Sequence, residues 1–570
     1  MSYQTGKVTG STVRAVDDLM REWQQGKLSR RSVLRRAAAL GVTLPVLAAL
    51  TGRAGSGRAA AAVLNAFQDD PASGTMGGIL KVATIGEAPH LDEHQTTAGV
   101  VAEVTFPAYE TLFTYDATYQ TIPQLVGEHT VSADGLVHTM ALRQGVMFHN
   151  GEEMKAADVI ASVERWGRIS GVGQRLIEKT ASIEATDDYT VTWNLTSPYG
   201  TILIALAHNT QACTIHPKSV VDAGTDEPWT DVAQYVGTGP YRIAEWTRDS
   251  VLRLERFDGY VSSSETVNGY GGKKYAYADA IEFYPVPEES ARVAGIQAGD
   301  YHLDDRGIGN DQYEVLQGQS GIIAEILPPT QWDLHFMNWE SAMFKDNLPM
   351  REAILYAMDP MPQLQSGRGG GDFVRLDPGL MMQQTAWHTT AGADRYNVYN
   401  PDTAKAKLQE AGYAGETLRF LTTQEYSYMY GQVVVMKQQL EDVGIVVDMQ
   451  VTDWATVLEN RAKKDAWEMF LTGHGFVPDP SQISYVGQMN IYPGWWSSPS
   501  SLDLSANLLS ETEFETRYAI WEDVQLAAYT ELPALKTGDS SICSFRSENV
   551  GGWDGQFERG GKYWNLWVKE

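Results

Sequence analysis

Residues 133–151 read ADGLVHTMALRQGVMFHNG, and the punctuation of that stretch decides how the surrounding chain is read. Asp134-Gly135 is a turn pair, because glycine reaches the positive φ that such a turn needs. In TMALRQG (139–145), Met140 and Leu142 alternate with polar neighbours, which is the period of a half-buried strand. Phe148-His149-Asn150-Gly151 makes a second turn, in which His149 reads as a residue that fixes the turn rather than as a catalytic base. The period then changes. In AADVIASVERW (156–166), Val159, Val163 and Trp166 fall at i, i+4 and i+7, on one face of a helix.

The same reading extends outward. GGILKVATI (77–85) and TVTWNLT (190–196) are expected as strands, and YRIAEWTRDSVLRLERF (241–257) as a hairpin. Asn400-Pro401 opens a helix with a cap and a proline in favoured places; Ala404, Leu408 and Ala411 form its stripe, and Gly412 ends it. TLRFLTT (417–423), VVVMKQQLEDVG (433–444) and IVVDMQV (445–451) read as strand, helix, strand, a βαβ unit with parallel pairing. WATVLENRAKK (454–464) and WEMFLTG (467–473) repeat the alternation, and YWNLWVKE (563–570) is expected as a last strand.

At 570 residues the chain is too long for one core, so two or three lobes are expected. Its charge is divided. Residues 1–62 hold ten Lys+Arg and three Asp+Glu, net +7, against −35 for the remainder and −28 overall. So acidic a body is repelled by nucleic acid and by anionic membrane surfaces. In the basic leader, Ser29-Arg30-Arg31-Ser32-Val33-Leu34-Arg35 has the twin-arginine arrangement of an export signal. An apolar run to about Leu50 and the small-residue tract GRAAAA (57–62) follow in the order a cleaved signal requires. No cysteine follows the run, so a lipoprotein anchor is not expected, and a free periplasmic protein is. Cys213 and Cys543 are too few for a disulfide scaffold and read as buried small side chains, with a single bridge as the alternative.

Taken together, five stretches resemble the family 5 extracellular solute-binding proteins, the dipeptide, oligopeptide and nickel type. They are ADGLVHTMALRQGVMFHNG (133–151), AADVIASVER (156–165), VGTGPYRIAEW (236–246), MREAILYAMDP (350–360) and YNPDTAKAKLQEAGY (399–413). The resemblance implies an α/β, two-lobed periplasmic binding protein of the cluster C type, with an extra small domain inserted in the first lobe and two crossover hinge strands. Mapped by motif order, residues 1–62 are the signal, 63–110 the first part of lobe I, and 111–212 the inserted domain. Residues 213–332 are then the second part of lobe I, 333–520 lobe II, and 521–570 the return to lobe I. The implied function is that of a periplasmic receptor, which binds a short peptide in the interlobe cleft and delivers it to an ABC permease and ATPase complex. The resemblance implies no enzyme activity and no cofactor, and a monomer is expected.

The resemblance also places candidate ligand contacts. Peptide-binding members grip the ligand's ammonium with an aspartate in a loop that matches FLTGHGFVPDP (470–480); here His474 holds that position, Leu471 replaces a tryptophan, and Asp479 stands near a turn. A histidine holds a cation poorly, so an oligosaccharide, or a sugar or amino-acid conjugate, is the alternative ligand. Trp332 falls at the expected crossover, and Trp387 and Trp495 in expected second-lobe loops, where aromatic faces suit stacking. Arg375, in GRGGGDFVRLDP (367–378), is placed to receive a carboxylate. Two readings from other classes stand beside these. HLDEH (90–94) matches a zinc-hydrolase pattern, with His90 and His94 as ligands, although Pro89 disfavours the helical turn that pattern requires. A periplasmic chaperone is the other.

Overall fold

The computed structural model describes residues 73–96, 98–208, 211–304, 310–554 and 562–569. The twin-arginine segment expected within residues 1–62 lies outside the described residues.

Strand β1 (Ile79–Thr84) starts the first sheet, and the chain then leaves it to build a separate antiparallel sheet. That smaller sheet contains β2 (Val126–Val131), β3 (Val137–Leu142), β4 (Thr180–Asp187) and β5 (Thr190–Leu195), in the order β2-β3-β5-β4. Between β3 and β4 run α1 (Ala156–Ile169) and α2 (Gly171–Glu178), and α1 packs against β4 and β5. Val159, Val163 and Trp166 of α1 are fully buried, as their spacing requires. Strands β2 to β5 and helices α1 and α2 fall within residues 111–212, the range that the sequence maps as an insertion.

Short α3 (Ile202–Leu206) follows, and the chain then returns to the first sheet with β6 (Tyr241–Thr247), β7 (Val251–Arg256), β8 (Ala280–Pro285), β9 (Leu303–Asp304) and β10 (Ile322–Ile326). The second sheet holds β11 (Gln331–Met337), β12 (Val374–Arg375), β13 (Thr417–Thr422), β14 (Val446–Val451), β15 (Met469–Gly475) and β16 (Ala534–Ser540), before β17 (Cys543–Ser547) rejoins the first. The orders are β10-β17-β9-β1-β8-β7-β6 and β12-β16-β11-β15-β13-β14. β1 lies parallel to both β8 and β9, a pairing that only long connections allow.

The βαβ reading of the later half holds: β13 and β14 are parallel from Thr417↔Val446 to Thr422↔Val451, with α5 (Ser427–Asp442) between them. Before them, α4 (Pro401–Glu410) is capped by Asn400, whose side chain accepts the Thr403 amide at 3.0 Å. α6 (Pro499–Ser510) and α7 (Phe514–Glu531) follow, before β16 completes the second lobe. Among the described residues no helix is long and apolar enough to cross a membrane.

Two connections join the sheets, Leu327–Thr330 and Ser541–Ile542, and they pair with each other. The Leu327 amide donates to the Ile542 carbonyl at 2.9 Å, and the Thr330 amide to the Ser540 carbonyl at 3.1 Å. The return to the first sheet therefore comes later than the boundary at 521. Residue 521 lies inside α7, and β16 pairs with β11 in the second sheet before the chain crosses. The last stretch also differs from expectation. Tyr563–Asn565 is a 3₁₀ turn, and only Trp567–Val568 forms a strand. Tyr563, Trp564, Leu566 and Trp567 are all buried, so this segment lacks the alternation that a one-faced strand needs. Cys213 and Cys543 are both buried free thiols.

The VGTGPY stretch has a steric reason for its glycines. A Cβ on Gly237 would lie 2.2 Å from the Ala108 carbonyl oxygen, and one on Gly239 would lie 2.5 Å from that of Pro107. His149 locks this approach. Its Nδ1 accepts the Gly237 amide at 3.2 Å, which leaves Nε2 protonated to donate to the Gly239 carbonyl at 3.0 Å. Burial pushes its pKa down to about 4, consistent with a neutral, structural imidazole.

Candidate ligand-binding site

Among the described residues the lobes meet along several seams. The Tyr119 and Phe476 rings pack at 4.4 Å, the Ala386 amide donates to the Thr118 carbonyl at 3.1 Å, and the Gly200 amide donates to the Leu509 carbonyl at 3.1 Å. Two cavities lie along these seams, and Ile204 of α3 lines both. One, of about 270 Å³, has Tyr115, Tyr119 and Leu203 on its first-lobe side and Trp387, Asp479, Phe514 and Arg517 on its second-lobe side. The other, of about 340 Å³, lies between α2 and residues 481–488. Apolar walls with a few polar groups, contributed by two lobes, are the usual make-up of a small-molecule site.

Of the residues singled out from sequence, Trp387 and Asp479 line the first cavity. Trp387 is held by the Phe514 ring at 4.8 Å and by Tyr518, stacked at 6.2 Å. Asp479 is engaged within the protein. It caps the Pro480–Gln482 turn through the Ser481 amide at 2.9 Å and takes two bonds from Arg517, at 2.5 and 2.7 Å. Arg517 also donates to the Leu508 carbonyl at 2.8 Å and lies 4.9 Å from the Trp387 ring centre. Sequence reading missed Arg517. The available signal was its position in line with Trp521, Val524 and Ala528, a buried helical stripe that contains one unexplained cation.

The structure places the other four elsewhere. Trp332 and His474 sit opposite each other on β11 and β15, with rings stacked at 5.6 Å. Trp332 is only 1% exposed, and neither Trp332 Nε1 nor His474 Nε2 has a hydrogen-bond partner among the described residues. Burial pushes His474 down to about 4, so its ring is neutral near pH 7. Trp495 has φ +50° and packs on Trp467 at 5.7 Å inside the second lobe. Arg375 is tied beside the crossover, donating to Asp539 at 2.7 Å and to Gln383 at 3.2 Å. Neither Trp495 nor Arg375 lines the two interlobe cavities.

The zinc reading of HLDEH fails on geometry. Glu93–Gln95 is a 3₁₀ turn, so His90 and His94 do not share a helical face. Both ring nitrogens of His94 are spent on the protein: Nδ1 lies 3.1 Å from the Arg165 guanidinium, and Nε2 lies 3.0 Å from the Thr214 carbonyl. Asp92 is clamped by the same Arg165 at 3.0 and 2.6 Å. Among the described residues no group of three or more His, Cys, Asp or Glu is placed to hold a metal ion.

Known proteins agree with this architecture. A probable peptide ABC transporter periplasmic-binding protein, y4tO, of Sinorhizobium fredii is 25% identical over 483 residues, covering 81% of this chain and 88% of its own. The glutathione-binding protein GsiB of Pectobacterium atrosepticum is 25% identical over 482 residues, with the same coverages of 81% and 88%. The periplasmic binding protein DppA of Helicobacter pylori, solved with the peptide STSA, superposes with a TM-score of 0.66 at 21% identity, covering 87% of this chain and 99% of that one. The sequence profile of the family matches residues 120–490, well over half the chain. By that match, and with the two-lobed fold beneath it, this chain belongs to the bacterial extracellular solute-binding proteins, family 5.

Proposed function

We propose that this protein is a periplasmic receptor of an ABC importer, which takes a short peptide between its lobes and presents it to the permease and its ATPase. The observation that carries the reading is the pair of cavities whose walls come from both lobes, so that a bound molecule stabilises the closed arrangement. The similarity to a probable peptide-transporter binding protein and to a glutathione-binding protein supports a peptide as the solute. No covalent chemistry is asked of any residue. Trp387 and the neutralised Asp479–Arg517 pair form part of the first cavity's second-lobe wall. The twin-arginine segment would deliver the folded chain to the periplasm, where it acts as a monomer.

Native mass spectrometry of the mature protein, purified from the periplasm and then mildly unfolded, tests this. A released peptide at one per chain is expected. A released oligosaccharide would transfer the same mechanism to the alternative solute class, and release of nothing by any preparation would remove the receptor reading.

A further inference from the structure

A strained residue stands where the first cavity meets the lobe interface. Phe113–Tyr115 pairs with Thr121–Pro123 in a short hairpin, and its tip reads DATYQ (116–120). Tyr119 in that tip has φ +62°, in the left-handed region that glycine or asparagine fills at little cost and a bulky side chain does not. The tip enforces this conformation. Asp116 Oδ1 accepts the Thr118 amide at 2.7 Å, the Thr118 hydroxyl at 2.8 Å and the Gln120 amide at 2.9 Å. The Tyr119 amide donates to the Asp116 carbonyl at 3.0 Å, and Asn268 Oδ1 accepts the Ala117 amide at 3.1 Å. Strain of this kind persists only where the surroundings over-determine it, and it gathers at sites where the geometry is used. A turn that only reversed the chain would have no use for a tyrosine at this position.

What the strain delivers is position. Tyr119 is buried, lines the first cavity, and packs its ring on Phe476 of the second lobe at 4.4 Å. Beside it the Thr118 carbonyl accepts the amide of Ala386, the neighbour of Trp387 on the cavity's second-lobe wall. Both second-lobe stretches are tied in turn to the first crossover. The Phe476 amide donates to the Thr330 carbonyl at 2.7 Å, and Gln384 Nε2 donates to the Pro329 carbonyl at 2.6 Å. On the receptor reading, we propose that this hairpin tip is a preset latch that couples solute to closure. Tyr119 meets the solute on one side and the second lobe on the other, so occupancy favours the closed arrangement. Asp116 is the positioning residue: it holds the ring in its strained place before solute arrives, which spares the ordering cost at closure.

The test uses the mature chain, stripped of solute by denaturation and refolding. It is offered a randomised tripeptide pool at rising concentration, with retention read by native mass spectrometry. Asp116→Ala should raise the half-saturating concentration by about tenfold, the loss expected if the tip then holds its geometry about a tenth of the time. Asp116→Asn keeps the accepting oxygen and should stay within about twofold of the wild type. Tyr119→Asn suits the left-handed turn but lacks the ring, and should weaken retention by about tenfold or more. Adding Asp116→Ala to Tyr119→Asn should cost little further, because Asp116 acts through the ring. Wild-type retention by Tyr119→Asn, which also serves if Asp116→Ala does not fold, or full additivity of the two changes, would overturn the latch and leave the receptor reading standing. Retention of no peptide by the wild type would overturn the peptide reading, and this inference with it.

Discussion

Gly200 donates its amide to the carbonyl of Leu509 across the lobe interface at 3.1 Å. The approach is close: a Cβ on Gly200 would lie 1.8 Å from the carbonyl oxygen of Glu511. Alanine suits the backbone conformation of Gly200, whose φ is not in the left-handed region. Gly200→Ala should therefore leave each lobe folded and hold the lobes apart. Peptide affinity should fall by about tenfold or more, since closure must now shift backbone, while the melting temperature of the solute-free protein stays near the wild-type value. Fluorescence titration and thermal melting check this. Unchanged affinity would mean that solute binds without this contact.

His149 holds two backbone groups of the VGTG turn at once. His149→Ala should strand the Gly237 amide and the Gly239 carbonyl, at a cost of about 2–5 kcal/mol in urea unfolding. Retained solute binding at low denaturant is expected, because the residue is structural. A loss below about 1 kcal/mol would show that water replaces the ring at little cost.

The Asp479–Arg517 pair is almost completely buried, with side chains 3% and 4% exposed. Arg517→Met leaves an unpaired carboxylate in the cavity wall and should cost about 3–5 kcal/mol. Adding Asp479→Asn should recover part of that, so the double variant is more stable than the sum of the single ones. Urea denaturation of the three variants measures the coupling, and strict additivity would contradict the geometry.

Acid should destabilise the protein well before the carboxylates titrate. Burial lowers His149, His216 and His335 from 6.5 to about 4. As pH falls below 6.5 the unfolded chain takes up these protons first, so the stability they carry is complete above that pH and is lost on approach to 4. Each withdraws on the order of 3 kcal/mol over that window. Denaturation midpoints at pH 7, 5.5 and 4.5 should fall in that order, and a flat profile would place these rings in contact with water.

The fold was legible where spacing alone determines burial. Val159, Val163 and Trp166 announced α1, and the alternation of β13, α5 and β14 announced a parallel sheet. The cap at Asn400 and the glycine at 412, with φ +73°, needed only local chemistry. The site was legible only in part, because what decides it is register and lobe packing. Trp332 read as a cleft aromatic, and only its pairing opposite His474 places it against that ring and inside the second lobe. Arg375 finds Asp539 from 164 positions away. Thr201 and Gln482 look like any polar residues until two lobes bring them to one cavity. The terminal YWNLWVKE misled because four neighbouring apolar side chains are buried on both sides of the backbone, a pattern with no period to read.

The central claim is that the lobes close on a solute, and small-angle X-ray scattering of the stripped and refolded protein tests it most directly. Adding a randomised pool of tripeptides should contract the radius of gyration and bring the scattering curve onto that of the closed arrangement held by Gly200–Leu509 and Tyr119–Phe476. A curve that stays unchanged while mass spectrometry shows peptide retained would contradict a receptor that signals by closure.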